Sequence, residues 1–329
     1  MTGPLVWVVG RGLLGRRLED LAPRAIPGAV CWGPATARLS WGEPGRLALE
    51  LGDAARAFGE EARRREAPWM ALWCAAAGGV DASSETLGRE TEALRQLLGA
   101  LGTALGRTPH RASGTLLFCS SAGGVYGRGP ELPLTEDSPC QPISAYGRSK
   151  LGQETEVLRW AGATPGVSCL VARLSNLYGS GQNLERSPGL IARLSQSLLH
   201  RRPRHVYVPL DTLRDYLHAG DAARYILGCL DRLWRSDRPA SLVKIIASEQ
   251  SISIAGVIGI FTRVAKRAPR IICMPDPLSR QQPSRLRFRS RVWTDQAPRM
   301  MDLAAGIREV YQDHLSLFQR GRLPVPPER

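Results

Sequence analysis

Lysine is almost missing from this chain. Only Lys150, Lys244 and Lys266 occur, although lysine and arginine together number 44. The formal charge of +14 is therefore carried by arginine, in a sequence rich in alanine and glycine, and it reads first as codon bias. Aromatic residues make up 6% of the chain. Neither dense arginine cluster, Arg201–Arg204 or Arg285–Arg291, offers the basic patch interleaved with aromatics that a nucleic-acid surface needs. A few arginines suit an anionic small substrate such as a diphosphate instead. The 7 cysteines contain no CxxC pair, which argues against a disulfide framework and a structural zinc site. Cys74, Cys119 and Cys169 lie in apolar runs and read as small buried hydrophobes, and no metal is expected. A strand-like run starts at Leu5, leaving no room for a signal peptide. No apolar stretch reaches the roughly 18 residues of a membrane helix. The expectation is a cytoplasmic protein.

What is present is a chain of 329 residues, 43% hydrophobic, with material for a large core. Leu5–Val9 reads as a buried strand, followed by a glycine turn and an amphipathic helix over Leu13–Leu21. A weak strand is expected at Ala29–Trp32 and a third at Leu47–Leu51, ending at Gly52-Asp53. A helix over Ala54–Arg65 and a buried strand over Pro68–Ala75 follow. Thr86–Leu105 carries leucines at mostly helical spacing. Thr115–Cys119 is again a strand, Tyr146–Trp160 a helix and Val167–Ala172 a strand. Such alternation predicts a parallel sheet covered on both faces. The alternation loosens after residue 176, with Pro- and Arg-rich stretches at 199–209 and 269–287.

Gly10-Arg11-Gly12-Leu13-Leu14-Gly15 is a GxGxxG directly after a strand and opening a helix. Glycines there allow a tight turn and let backbone N–H groups approach a pyrophosphate at the positive helix end. The alternative is a purely structural glycine turn. An acidic residue some way downstream would bind the ribose hydroxyls and select NAD. Residues Cys31–Arg38 contain no carboxylate, and their one charge, Arg38, could receive the 2′-phosphate of NADP.

Tyr146-Gly147-Arg148-Ser149-Lys150 places a phenol and an ammonium on one helix face by their i, i+4 spacing. A free tyrosine has a pKa near about 10, and a nearby ammonium favours the phenolate. Tyr146 could then exchange a proton with a substrate oxygen while Lys150 holds the cofactor ribose. A surface helix pair is the plain alternative. Ser120 and Ser121 follow a strand; a hydroxyl there can share developing charge with the tyrosine or merely cap a turn.

Taken together, the GxGxxG, Ser120–Gly127 (SAGGVYG after Ser120), YGRSK, Arg173–Gly181 and Leu213–His218 segments resemble the extended short-chain dehydrogenase/reductase family. More narrowly, they are similar to its NAD-dependent epimerase/dehydratase group, with gaps, over most of residues 5–310. The resemblance implies an α/β fold: a doubly wound parallel-sheet Rossmann domain with a smaller α/β C-terminal substrate lobe. The first would span 1–175, with 205–230 returning to it, and the lobe 176–204 and 231–329. It implies Tyr146 as acid/base, Lys150 as its partner and Ser121 as the catalytic hydroxyl. It implies cofactor contacts from the glycine loop, Asp53 and Ala54, the small-residue wall Ala75, Ala76 and Ala77, and Ser120. Asn176 and Arg214 resemble contacts to a nucleotide-sugar diphosphate, while Asp215, His218 and Asp221 resemble residues joining the lobes. The helices at Thr86–Leu105 and Tyr146–Trp160 resemble a homodimer interface, though their leucine stripe is equally well read as core.

Three departures narrow the chemistry. Ala122 stands where the family usually has its catalytic Ser/Thr. A frequent asparagine is replaced near Arg89-Glu90. Ala122-Gly123-Gly124 takes the place of an Asp-Glu pair that expels water in similar 4,6-dehydratases, and elimination without a second acid and base is not expected. Two reactions remain, reduction of a nucleotide-linked 4-keto-sugar by NADPH and 4-epimerisation with retained NAD. The reductase is preferred, on the glycine pattern, Arg38 and the missing acid. A binding protein for nucleotide or RNA that has lost catalysis is the reading of another class.

Overall fold

Leu5–Val9 (β1) is a run of five residues, all buried, which only a strand covered on both faces can be. We describe a computed structural model of the chain over residues 2–34, 39–76, 78–79, 81–105, 114–127, 132–185, 188–274 and 283–326. Beyond β1 the first half comprises α1 (Leu13–Ala25), β2 (Val30–Trp32), α2 (Pro44–Arg64), β3 (Trp69–Trp73), α3 (Ser84–Leu105) and β4 (Gly114–Ser121). It continues with α4 (Ala122–Tyr126), α5 (Ala145–Ala163) and β5 (Val167–Leu174). The second half holds β6 (Asn176–Tyr178), α6 (Leu190–Leu199), β7 (Arg204–Val206), β8 (Leu213–His218), α7 (Ala219–Trp234) and β9 (Ser241–Ile246). It ends with β10 (Ser251–Ser253), α8 (Ile254–Ala265), β11 (Ile271–Cys273) and α9 (Leu303–Gln319).

The chain divides into two compact units. The first takes residues 1–121, 145–173 and 223–244; the second takes 122–144, 174–222 and 245–329. This differs from the expected boundaries at residues 122–144 and 174–175, which fall in the second unit, and at two further stretches. Residues 205–222 belong to the second unit, because β8 pairs with β6 and β10. Residues 231–244 belong to the first, because β9 extends the main sheet beside β5.

The main sheet has six strands in the order β2-β1-β3-β4-β5-β9, and its β1, β2, β3 and β4 pair in parallel. One face carries Trp7, Trp73, Leu116 and Phe118 against the buried stripes of α2, α3 and α5. Trp7, Trp32 and Phe58 meet there with ring centroids 5.2 to 5.5 Å apart. Leu94, Leu97, Leu98 and Leu101 of α3 lie in this core, and Leu87 is buried as well. The opposite face meets α1, whose Gly15 lies against Val8.

The expected strand at Leu47–Leu51 is instead part of α2, a helix of 21 residues. Leu-Ala-Leu-Glu-Leu alternates like a strand, but Leu47, Leu51, Ala54, Ala55, Phe58 and Ala62 are the buried positions. That spacing is helical, and Pro44 at the first turn has the fixed φ and missing donor that a helix start tolerates. The other expected elements are present, several of them longer than the sequence predicts.

The second unit packs a three-stranded sheet, β10-β8-β6, and a parallel pair, β11-β7, with α6, α8 and α9. Tyr178, Ile191, Leu194, Tyr216, Phe261 and Ile307 lie in its core. Buried Asp215 ties β8 to the loop between β9 and β10: it accepts from the amide and hydroxyl of Ser248 (3.0 and 2.9 Å) and the amide of Gln250 (3.1 Å). Burial raises its pKa from the ordinary carboxylate value, opposed by these hydrogen bonds.

Candidate functional site

Strand order reverses between β2-β1 and β1-β3-β4, and in an open parallel sheet the carboxyl ends at that switch point form the ligand crevice. The glycine loop leaves β1 at this point. Gly10 has φ +97°, a conformation that costs glycine little, and a Cβ on it would lie 2.3 Å from the amide nitrogen of Ala75. A Cβ on Gly15 would lie 2.0 Å from the Gly10 carbonyl oxygen. These two glycines therefore bring the turn, α1 and the end of β3 into close approach. Gly12 is different. A Cβ there would meet nothing within 4 Å, and as N-cap of α1 it supplies no side-chain hydrogen bond. The start of α1 therefore has room beside Gly12 and no side-chain cap, as a pyrophosphate at a helix N-terminus requires. Leu14 is buried against the sheet, and exposed Arg11 pairs with Glu19 at 2.7 Å.

Other expected cofactor residues fare differently. Asp53 and Ala54 were expected at a strand end; both lie midway along α2. The Asp53 side chain is 72% exposed and pairs with Arg56 at 3.1 Å, and Ala54 is core. Ala75 is buried beside Gly10 and Ala76 is exposed. Arg38 and Ala77 lie outside the described residues.

The catalytic candidates gather on β4 and α5. Tyr146 is half-buried in the first turn of α5; Lys150, one turn on, is 2% exposed. The Lys150 Nζ lies 5.9 Å from the Tyr146 ring centroid and 5.4 Å from that of Phe118 on β4. It donates to Glu90 Oε1 at 2.6 Å and to Gln153 Oε1 at 3.3 Å. Burial disfavours the ammonium, but the charges of Glu90 and Tyr146 and the hydrogen bond to Glu90 outweigh it, so the Lys150 pKa lies above the ordinary value. Lys150 is a fixed cation.

Adjacent strand residues point to opposite faces, and the two serines divide accordingly. The Ser120 hydroxyl is committed inward, donating to Glu154 Oε1 at 2.5 Å. Glu154 is itself gripped by Arg173 on β5, whose Nε lies 3.1 and 3.2 Å from its two oxygens and whose Nη2 lies 2.7 Å from Oε2. Ser121, on the other side of the strand, is half-buried at the end of β4. Ala122 is fully buried and offers only a methyl.

Glu90 appeared in the sequence only as a replaced asparagine, and Glu154 was not singled out. A signal existed for each. Glu154 follows Tyr146 and Lys150 on the same face of α5, and Glu90 interrupts the leucine stripe of α3, where a buried carboxylate requires a partner.

In the second unit Asn176 is exposed on β6 and its Nδ2 donates to the Asp215 carbonyl at 2.9 Å. Arg214 is 8% exposed, and its Nη1 donates to the carbonyls of Leu213 (2.9 Å) and Pro283 (2.8 Å). Burial lowers its pKa from the usual arginine value.

The model of the NAD dependent epimerase/dehydratase family matches residues 8–242. The chain belongs to that family. A putative UDP-glucose 4-epimerase of Methanocaldococcus jannaschii is 30% identical over 122 residues, 37% of this chain and 39% of the relative. The dTDP-4-dehydro-6-deoxyglucose reductase of Escherichia coli is 28% identical over 164 residues, 50% of this chain and 49% of the relative. The chain thus spans between about two fifths and half the length of these curated relatives. The solved structure of MoeE5 with UDP-glucuronic acid and NAD superposes with a TM-score of 0.75, covering 97% of this chain and 100% of that one at 20% identity. At that identity the likeness shows the fold alone. Among the described residues no helix is long and apolar enough to cross a membrane.

Proposed function

We propose that the protein is an NADP-dependent reductase of a nucleotide-linked 4-keto-sugar. The observation that carries this reading is the Tyr146–Lys150 pair, with the lysine buried and held as a cation. A binding protein has no use for a phenol and a fixed ammonium on one helix face at the carboxyl edge of the sheet. The bound nicotinamide would supply the hydride. The chain's own residues do the rest: Gly10, Gly12 and the open end of α1 bind the pyrophosphate. Lys150 orients the ribose, Ser121 binds the ketone oxygen, and Tyr146 gives that oxygen a proton. Asn176 and Arg214 are the candidate diphosphate contacts. The absence of a carboxylate from Cys31 to Arg38 supports NADP over NAD, and the likeness to a 4-keto-sugar reductase over half the chain supports reduction.

A second reading, 4-epimerisation with retained NAD, is favoured by the likeness to an epimerase. The two separate on purified protein by nucleotide extraction followed by titration with NADPH and NADH. An empty protein that binds NADPH more tightly than NADH supports the reductase. Retained NAD supports the epimerase. No binding of either cofactor removes the catalytic reading altogether. With turnover in hand, Tyr146→Phe should lower kcat by about 10²–10⁴-fold with little change in cofactor affinity.

A further inference from the structure

The carboxylate of Glu90 sits where the leucine stripe of α3 would place another apolar side chain, and Glu90 is 4% exposed. Burying a charge there is costly unless it is paired. Its partner is the Lys150 ammonium at 2.6 Å. The groups around that ammonium come from three elements. From α3 come Glu90 and Thr91, the latter accepting from Gln153 Nε2 at 2.9 Å. From α5 come Tyr146 and Gln153, and from β4 come Phe118 and Cys119, whose thiol donates to Cys74 Sγ at 3.7 Å. Glu154, next along α5, is occupied by Ser120 and Arg173.

A buried lysine facing a neutral side chain would present its full charge to the tyrosine and favour the phenolate. With a carboxylate in contact, the pair is neutral overall, and in a site shielded from salt its field at Tyr146 is largely cancelled. We propose that Glu90 is a positioning residue, which fixes the Lys150 ammonium and cancels its charge so that Tyr146 keeps its proton and begins the cycle as a donor. The inference rests on the reductase reading and deepens it by assigning a direction. In reduction the carbonyl π bond breaks as carbon gains hydride from the reduced nicotinamide and oxygen gains the Tyr146 proton. The phenolate then recovers a proton from solvent. Alcohol oxidation would need the phenolate at the outset, which the Glu90–Lys150 pair disfavours.

The test compares the whole protein with Glu90→Gln and Glu90→Asp, each shown to be folded by circular dichroism. Only three lysines occur, so ¹³C-lysine labelling with Lys150→Met as the assignment control follows the Lys150 ε-methylene through a pH titration. In Glu90→Gln the lysine should lose its proton about one pH unit or more below its wild-type midpoint. Phenolate absorbance, as the difference between each protein and its Tyr146→Phe counterpart, should rise about one unit lower in pH. Glu90→Asp, with the carboxylate drawn back by one methylene, should fall between the two and keeps the test open if the glutamine variant does not fold. With dTDP-4-dehydro-6-deoxyglucose as the ketone probe, the alkaline limb of kcat/KM should move down in step. Unmoved lysine and phenolate titrations would overturn the inference whatever the activity. A wild-type protein that never reduces the probe, yet shows both shifts, would refute the reductase reading and leave the Glu90 coupling standing.

Discussion

Two helix starts of the second unit differ in kind from one of the first, and so do several carboxylates of the two units. In the second unit α8 begins with Ser253 accepting the Gly256 amide at 3.0 Å, and α9 with Asp302 accepting the amides of Ala304 and Ala305 at 2.9 and 3.2 Å. In the first, α1 begins at Gly12 with no side-chain cap. The carboxylates divide similarly. Asp215 and Glu136 of the second unit accept backbone amides and serine hydroxyls, and so staple loops to strands. Glu90 and Glu154 of the first face a lysine and an arginine. Capping is not confined to the second unit, since Ser83 accepts the Thr86 amide at 3.2 Å at the start of α3 and α6 starts at Gly189 without a side-chain cap. What sets the first unit apart is the uncapped α1 directly after the glycine loop, together with the paired charges of Lys150 with Glu90 and Arg173 with Glu154. A site that must receive a phosphate and move a proton requires that arrangement, and a scaffold does not.

The largest effect should come from the charge pair that supports β4. Glu154→Ala leaves buried Arg173 and Ser120 without the carboxylate they share, and removing one member of a buried pair costs about 3–5 kcal/mol. Urea unfolding of the variant measures this. A loss below about 1 kcal/mol would place the network with ordinary surface pairs.

Gly12→Asp converts the open helix start into a capped one. A side chain fits, since φ is −79° and a Cβ would meet nothing within 4 Å. A capping carboxylate should leave the fold as stable or slightly more so. It would also place negative charge at the proposed pyrophosphate site, and dinucleotide affinity should fall about 10–100-fold, or about 1.4–2.7 kcal/mol. Calorimetric titration with NADPH reads it. Unchanged affinity would mean that the end of α1 is not the phosphate site.

Much of the first unit was legible in advance because its signals are local. A buried apolar run, a glycine loop and a leucine period each identify an element without knowledge of the rest. The strand expected at Leu47–Leu51 failed because alternation over five residues also fits one turn and a half of a buried helix, and Pro44 with the later Ala55 and Phe58 decides it. Tyr146 and Lys150 were legible from spacing. Glu90 was not, because its partner stands 60 positions away in the chain. Nothing local distinguishes a glutamate that will be buried, except that it breaks an apolar stripe. The second unit was least legible: its strands, three residues long apart from β8, and its amide-stapled loops carry little period of their own.

Asp215→Asn tests the stapling role. One oxygen accepts the Ser248 amide and the other the Ser248 hydroxyl and Gln250 amide. Asparagine keeps one acceptor, so the cost should be about 1–3 kcal/mol. The pH dependence has a definite sign. Burial raises the folded-state pKa of Asp215, so its contribution to stability is greatest below the unfolded carboxylate value and declines as pH rises through the folded one. Urea midpoints of the variant, taken across the acid range, should lack that decline.

The smallest effect should be at Asp302. Its side chain accepts two amides at the start of α9, a helix that buries Ile307 and Val310 in the core of the second unit. Asp302→Ala should cost about 0.5–2 kcal/mol, as loss of a cap does elsewhere. Because the amides concerned hold a helix rather than a ligand, dinucleotide affinity should not change. That is the reverse of the expectation for Gly12→Asp, where affinity falls and stability does not. If Asp302→Ala also weakened NADPH binding, the division between a unit that holds itself together and a unit that holds the cofactor would fail, and the caps of the second unit would have to be counted among the groups that shape the site.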